Sequence, residues 1–135
     1  MQRCPLCSAR LSEAPVCPRC GTELHRVLRS GRLAKAWLSV SLQTLHAGRA
    51  DVAVLAIRRS LSFKQTPEAK LLKGFLIRRQ YRALYQSLGQ QNWREARGIL
   101  DGLRALQGDS ETLLRFAELV GYLSFQSNEN RTSEE

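Results

Sequence analysis

Hydrophobic patterning divides the chain into two regimes. Up to Glu23 apolar side chains are sparse and aperiodic: Leu6, Leu11 and Val16, with Leu24 at the border. From Leu24 onward they recur at three and four residues, the helical period. Leu33, Trp37, Val40, Leu42 and Leu45 mark a first helix that Gly48 ends. Val52, Leu55, Ala56 and Phe63 mark a second, with Arg59 on the same stripe and no strong cap near Asp51. Thr66-Pro67-Glu68 predicts a well-formed helix start, with Thr66 as N-cap, Pro67 in the first turn and Glu68 at the positive dipole end. That third helix carries Leu71, Leu72, Phe75, Leu76, Tyr81, Leu84 and Tyr85, and Gly89 is its expected stop. A fourth spans about Asn92 to Leu106 before Gly108. A fifth begins at Asp109 or Ser110 and carries Leu113, Leu114, Phe116, Ala117, Val120 and Leu123. Short connections make consecutive helices antiparallel neighbours. The expected fold is mostly α: a small N-terminal module (residues 1–24), about five antiparallel helices (25–126), and a polar tail (127–135) expected to be disordered.

The aperiodic segment holds all four cysteines, as Cys4-Pro5-Leu6-Cys7 and, nine residues later, Cys17-Pro18-Arg19-Cys20-Gly21. Two thiol pairs brought together by a short hairpin supply four soft ligands for one tetrahedral ion, the set that Zn²⁺ prefers. Pro5 and Pro18 stiffen each turn. Gly21 takes positive φ without a Cβ clash, and Ser8 occupies the matching place less suitably. Residues 4–24 resemble the short zinc ribbons of the C-P-x-C…C-P-x-C-G type, which implies a structural or docking role with Cys4, Cys7, Cys17 and Cys20 closing the site around one structural Zn²⁺. The apolar stock of this segment is too small to fold unaided, so the metal supplies the folding energy. Disulfides compete weakly, because no secretory signal is expected from Met1-Gln2-Arg3-Cys4 and the remaining 115 residues lack cysteine. A redox C-x-x-C needs a preceding strand and a following helix. Rubredoxin-like iron is the remaining alternative, for which the nine-residue gap is short. His25 and His46 are isolated, and His25 is assigned no ligand role.

Within the helical part, residues 30–108 resemble tetratricopeptide helical hairpins. With Trp37 at the motif's fourth place, Val40 and Ser41 take the seventh and eighth, Gly48 the fifteenth, Ala53 the twentieth, Ile57 the twenty-fourth and Ser60 the twenty-seventh. In a second, degenerate unit Trp93, Ala96 and Leu100 fall at the seventeenth, twentieth and twenty-fourth, while Leu103 stands where a small residue is expected. The units are 43 residues apart, against the 34 of the family. The resemblance implies a groove lined by the first helix of each unit: Lys35, Leu38, Ser39, Leu42 and His46, then Arg78, Tyr81, Arg82, Tyr85 and Gly89. Arg78 and Arg82 match half of the family's carboxylate clamp. Leu38 and Leu42 replace the other half, so the clamp is incomplete. What remains suits a peptide bearing a carboxylate and apolar side chains, with Lys35, His46, Arg78, Tyr81, Arg82 and Tyr85 as the partner-binding residues.

Charge sharpens this expectation. The chain has 21 Lys+Arg against 12 Asp+Glu, a net +9. Residues 24–94 hold 14 bases against Asp51 and Glu68, a net +12, and residues 95–135 carry a net −4. Four thiolates with one Zn²⁺ carry −2, which brings the loaded chain to about +7. Arg26, Arg29, Arg32 and Lys35 recur every three residues and are expected near one face. Arg58, Arg59 and Lys64 belong to the second helix, and Lys70, Lys73 and Arg79 join Arg78 and Arg82 on the third. Such a field attracts a polyanion. No stretch reaches the length of a membrane span, so no integral membrane segment is expected, and no nucleotide-binding, zincin or nucleophile-elbow motif occurs. The expected function is a cytoplasmic, non-enzymatic adaptor for an acidic or carboxylate-bearing protein partner. The alternative is a basic nucleic-acid-binding accessory protein.

Overall fold

The computed structural model describes residues 3–11 and 14–133. It is mostly helical: α1 (His25–His46), α2 (Ala50–Phe63), α3 (Pro67–Gly89), α4 (Trp93–Gln107) and α5 (Glu111–Thr132) follow a cysteine module without regular strands among the described residues. None of these helices is long and apolar enough to cross a membrane.

Local sequence accounts for most helix ends. The Thr66 hydroxyl accepts from the Ala69 N–H (3.3 Å), with Pro67 following it as expected. Asn92 Oδ1 accepts from the Glu95 N–H (3.3 Å) while its Nδ2 donates back to the Glu95 carboxylate (2.9 Å), and Ser110 caps α5 through the Leu113 N–H (3.2 Å). α1 has no side-chain cap and starts at His25, well before the Leu33 stripe. The module sets this start. Leu24 is buried and its N–H donates to the Pro15 carbonyl (2.7 Å), so the chain leaves the module already aimed into the helix.

Two corrections concern ends. α3 runs through Gly89, and the left-handed residue after it is Gln91 (φ 58°). The Asn92 N–H donates to Ser87 O (3.0 Å) and the Gln91 N–H to Leu88 O (3.2 Å). After α1 the same pattern occurs 43 residues earlier: Gly48 has φ 78°, the Arg49 N–H donates to Thr44 O (2.8 Å) and the Gly48 N–H to Leu45 O (3.0 Å). Turn register thus places the stop two residues beyond the glycine. Gln91→Gly is therefore expected to stabilise the protein by about 1 kcal/mol, read as a raised thermal midpoint, because a side chain in the left-handed region is strained. The second correction is the tail. Residues 127–132 continue α5, where the Thr132 hydroxyl donates to Glu129 O (2.8 Å). Extending an existing helix requires no new nucleus, so polar composition does not stop it. Glu134 and Glu135 lie outside the described residues.

Adjacent helices pack against one another, and α2 also meets α4. In the α1–α2 pair the Ser41 hydroxyl donates to Ala53 O (2.8 Å) and the Ser60 hydroxyl to Ala34 O (2.7 Å), all four residues buried. Both pairings have the same residue-number sum, as an antiparallel register requires. Small side chains let the two backbones approach, and their hydroxyls are satisfied. Forty-three residues on, Leu84, Ala96, Leu100 and Leu103 are buried where Ser41, Ala53, Ile57 and Ser60 are buried in the first hairpin. The second hairpin fills with leucine the space that serine leaves small in the first. One core joins Ala53, Val54, Ile57, Ala69, Leu76 and Leu106, and a second joins Leu84, Ala96, Ile99, Leu100, Leu103, Leu113 and Val120, with Ile77 packed against both.

Several expected core positions face outward. Leu42, Leu55, Leu71, Phe75, Tyr85 and Leu114 are exposed, Leu71 to 75%, while Ser41, Ser60, Gln80 and Ser87 are buried. Ala56, Leu76, Leu84, Leu113 and Val120 of the same stripes are buried as expected, so the apolar pattern finds the inward side but not its edges, where Ser41 and Ser60 make the close contacts.

Candidate metal centre

The module consists of two matching turns thirteen residues apart. In each, the first cysteine's N–H donates to a carbonyl five residues on: Cys4 to Ala9 and Cys17 to Thr22, both 2.9 Å. In each, the residue after the second cysteine returns a bond to the first cysteine's carbonyl: Ser8 to Cys4 and Gly21 to Cys17, again 2.9 Å. Those two residues have φ of 57° and 71°. Gly21 meets this requirement freely, and Ser8 does so at a cost that the rest of the turn must offset. The bridges Arg3–Arg10 and Val16–Glu23 close the two turns.

These turns bring Cys4, Cys7, Cys17 and Cys20 together, with all four sulfurs within 4.8 Å of one another. The Sγ–Sγ distance is 3.6 Å for both Cys4–Cys20 and Cys7–Cys17, and the four cysteines are free. A tetrahedral ion with bonds of about 2.3 Å needs sulfurs ~3.8 Å apart, so the cluster fits a thiolate-bound metal ion. Cys4 and Cys17 are buried with Leu24, and Cys7, Ala9, Leu11 and Leu28 pack around them. Leu28 belongs to α1, so the module's core is completed by the first helical turn.

Hydrogen bonds favour charge on the second pair. The Thr22 hydroxyl (3.1 Å) and Thr22 N–H hold the Cys20 thiol down at about 6. The N–H groups of Cys20 and Arg19 lower Cys17. At Cys7 the Ala9 N–H pulls downward, but burial and the neighbouring thiols push the group up to about 11. Four neighbouring thiols cannot all ionise without a cation, and a bound cation favours the thiolate at every one. Thr22 was not singled out by the cysteine spacing, although its place two residues after Cys20 is a readable signal.

The other expected site residues are dispersed. Lys35 and Arg32 line a cleft of about 520 Å³ between the module and the helices, together with His25. Arg26 and Arg29 are exposed elsewhere on α1. A three-residue spacing drifts by about 60° per step on a helix, so Arg26 and Lys35 point to opposite sides and do not share a face. His46 is exposed at the end of α1. Arg59 lies over the Trp37 ring, 6.0 Å from its centroid. Arg58 and Lys73 line a smaller cleft of about 220 Å³ beside Leu106. On α3, Lys70, Arg78, Arg79 and Arg82 are exposed. Tyr81 is half-buried against the second core and donates to Gln107 Oε1 (3.1 Å), whereas Tyr85 is exposed with its ring 6.0 Å from that of Phe116. The basic charge is therefore spread over several surfaces. Ion pairs among the described residues are Arg49–Asp51, Arg104–Asp109 and Arg115–Glu111, none of which includes a base of α3. No protein-family model, curated protein or solved structure matches this chain.

Proposed function

We propose that the protein is a non-enzymatic adaptor of the cytoplasm. In this reading its module holds one structural Zn²⁺ through Cys4, Cys7, Cys17 and Cys20. Its helices form two tetratricopeptide-like hairpins that bind an acidic, carboxylate-bearing segment of another protein. The repeat reading draws support from the two matching turns and buried positions 43 residues apart. Four thiolates leave a tetrahedral zinc no open position, which favours structure over catalysis.

The observation that carries the binding role is one stripe of α3. Leu71, Phe75, Arg78, Arg82 and Tyr85, spaced by four, three, four and three, are all exposed, and α3 contains no acid between Leu71 and Tyr85. Exposed apolar groups flanking two guanidinium groups suit a peptide with both carboxylate and apolar side chains. The test compares a peptide of alternating Glu and Leu with a mixed-sequence DNA 20-mer by anisotropy, between about 50 and 200 mM salt. Peptide binding that persists across the range, with no DNA binding, is the expected result. DNA binding that falls steeply with salt would replace this reading with nucleic-acid recognition. Metal analysis that finds iron, with a coloured protein, would replace zinc.

A further inference from the structure

The cleft between the module and the helices belongs neither to the metal cluster nor to the α3 stripe. Its walls come from three parts of the chain. Leu11, Ala14 and Pro15 are contributed by the module. α1 contributes His25, Leu28, Arg32 and Lys35, spaced by three, four and three, which places them along one side of that helix. The α2–α3 connection adds Lys64 and Thr66. The volume, about 520 Å³, lies in the range of ligand pockets, roughly 300–1,000 Å³.

Its chemistry is one-sided. Arg32, Lys35 and Lys64 bring three positive charges beside the His25 imidazole, and among the described residues no carboxylate lines the cleft. The Thr66 hydroxyl accepts from the Ala69 N–H and keeps its own proton to donate. The remaining lining among the described residues is aliphatic, with no aromatic ring there on which a nucleobase would stack. We propose that this cleft binds an acidic peptide segment with aliphatic side chains, and that binding depends on the metal because the module supplies one wall. Carboxylates would meet Arg32, Lys35 and Lys64, and aliphatic side chains would lie against Leu11, Pro15 and Leu28. The metal dependence shares the premise that the module is held by its ion. The cleft itself is independent of the α3 stripe.

The experiment is an NMR titration of the full metal-loaded chain with an octapeptide of alternating Glu and Leu. The Gly31 and Thr66 amides report the cleft, and those of Arg82 and Tyr85 report α3. Peptide is expected to shift Gly31 and Thr66. Arg32→Glu with Lys64→Glu is expected to weaken binding read at those amides by about tenfold or more, and to leave the α3 response within about twofold. Arg58→Glu with Arg79→Glu, the same charge change elsewhere, is expected to change the cleft response by less than about threefold. Removing the metal with a chelator is expected to abolish the cleft response while circular dichroism still shows the helices. The proposal is overturned by silent Gly31 and Thr66 amides, by equal losses in the two double variants, or by full cleft binding without metal. It is equally overturned if single-stranded DNA shifts the same amides more tightly than peptide. A responding cleft with a silent α3 would instead overturn the adaptor stripe alone.

Discussion

Replacing Cys17 with Ser is expected to release the metal and unfold residues 3–24, while leaving most of the helical signal intact. Cys17 is 1% exposed and sits at the centre of the module's small core with Cys4 and Leu24. That core holds too little apolar surface to offset the ordering entropy of the segment. In zinc-finger peptides a structural ion contributes about 10–16 kcal/mol of apparent binding energy, and a hydroxyl is a poor replacement for a thiolate ligand. The two helical cores contain no residue of the module, so α2 to α5 lose no packing partner. Only the start of α1 is expected to fray, because Leu24 and Leu28 lose their neighbours. Metal content and far-UV circular dichroism measure both parts. Loss of most of the helical signal would show instead that module and helices fold as one cooperative unit.

Arg78→Glu with Arg82→Glu is expected to abolish binding of an acidic partner at nearly unchanged stability. The two residues are one turn apart, exposed, and outside every ion pair among the described residues. Exposed substitutions of this kind change stability by about 0.5 kcal/mol or less. Binding is affected differently: two attractive contacts become two repulsive ones, and like charges across an interface cost several kcal/mol. A loss of about hundredfold corresponds to ~2.8 kcal/mol. Affinity by calorimetry and the thermal midpoint separate the two effects. Unchanged affinity would remove α3 as the binding surface.

The thiol cluster was legible because its information is local. Two C-P-x-C turns impose their own hydrogen bonds, and a nine-residue spacer leaves them little choice but to meet. Thr66, Asn92 and Ser110 likewise announced their helices through bonds spanning three residues. Gly89 misled for the same reason. A glycine permits a left-handed stop, but the turn after α3 follows the register shared with Gly48, and Gln91 adopts that conformation.

By itself, then, the sequence determined the thiol cluster, the number of helices and most of their starts, all of which depend on residues within a turn or two of each other. Tertiary structure decided which residues at the edges of each apolar stripe face inward. Ser41 and Ser60 are buried because their hydroxyls reach carbonyls of the opposing helix, while Leu55 and Leu71 remain outside. It also decided where the charge acts. A run of bases at three-residue spacing reads as one face along the chain, yet helical rotation turns Arg26 away and leaves Arg32 and Lys35 in one cleft with Lys64, which lies 32 and 29 residues further along the sequence. Burial and charge clustering depend on what packs opposite, and the spacing of residues along one segment does not contain that partner.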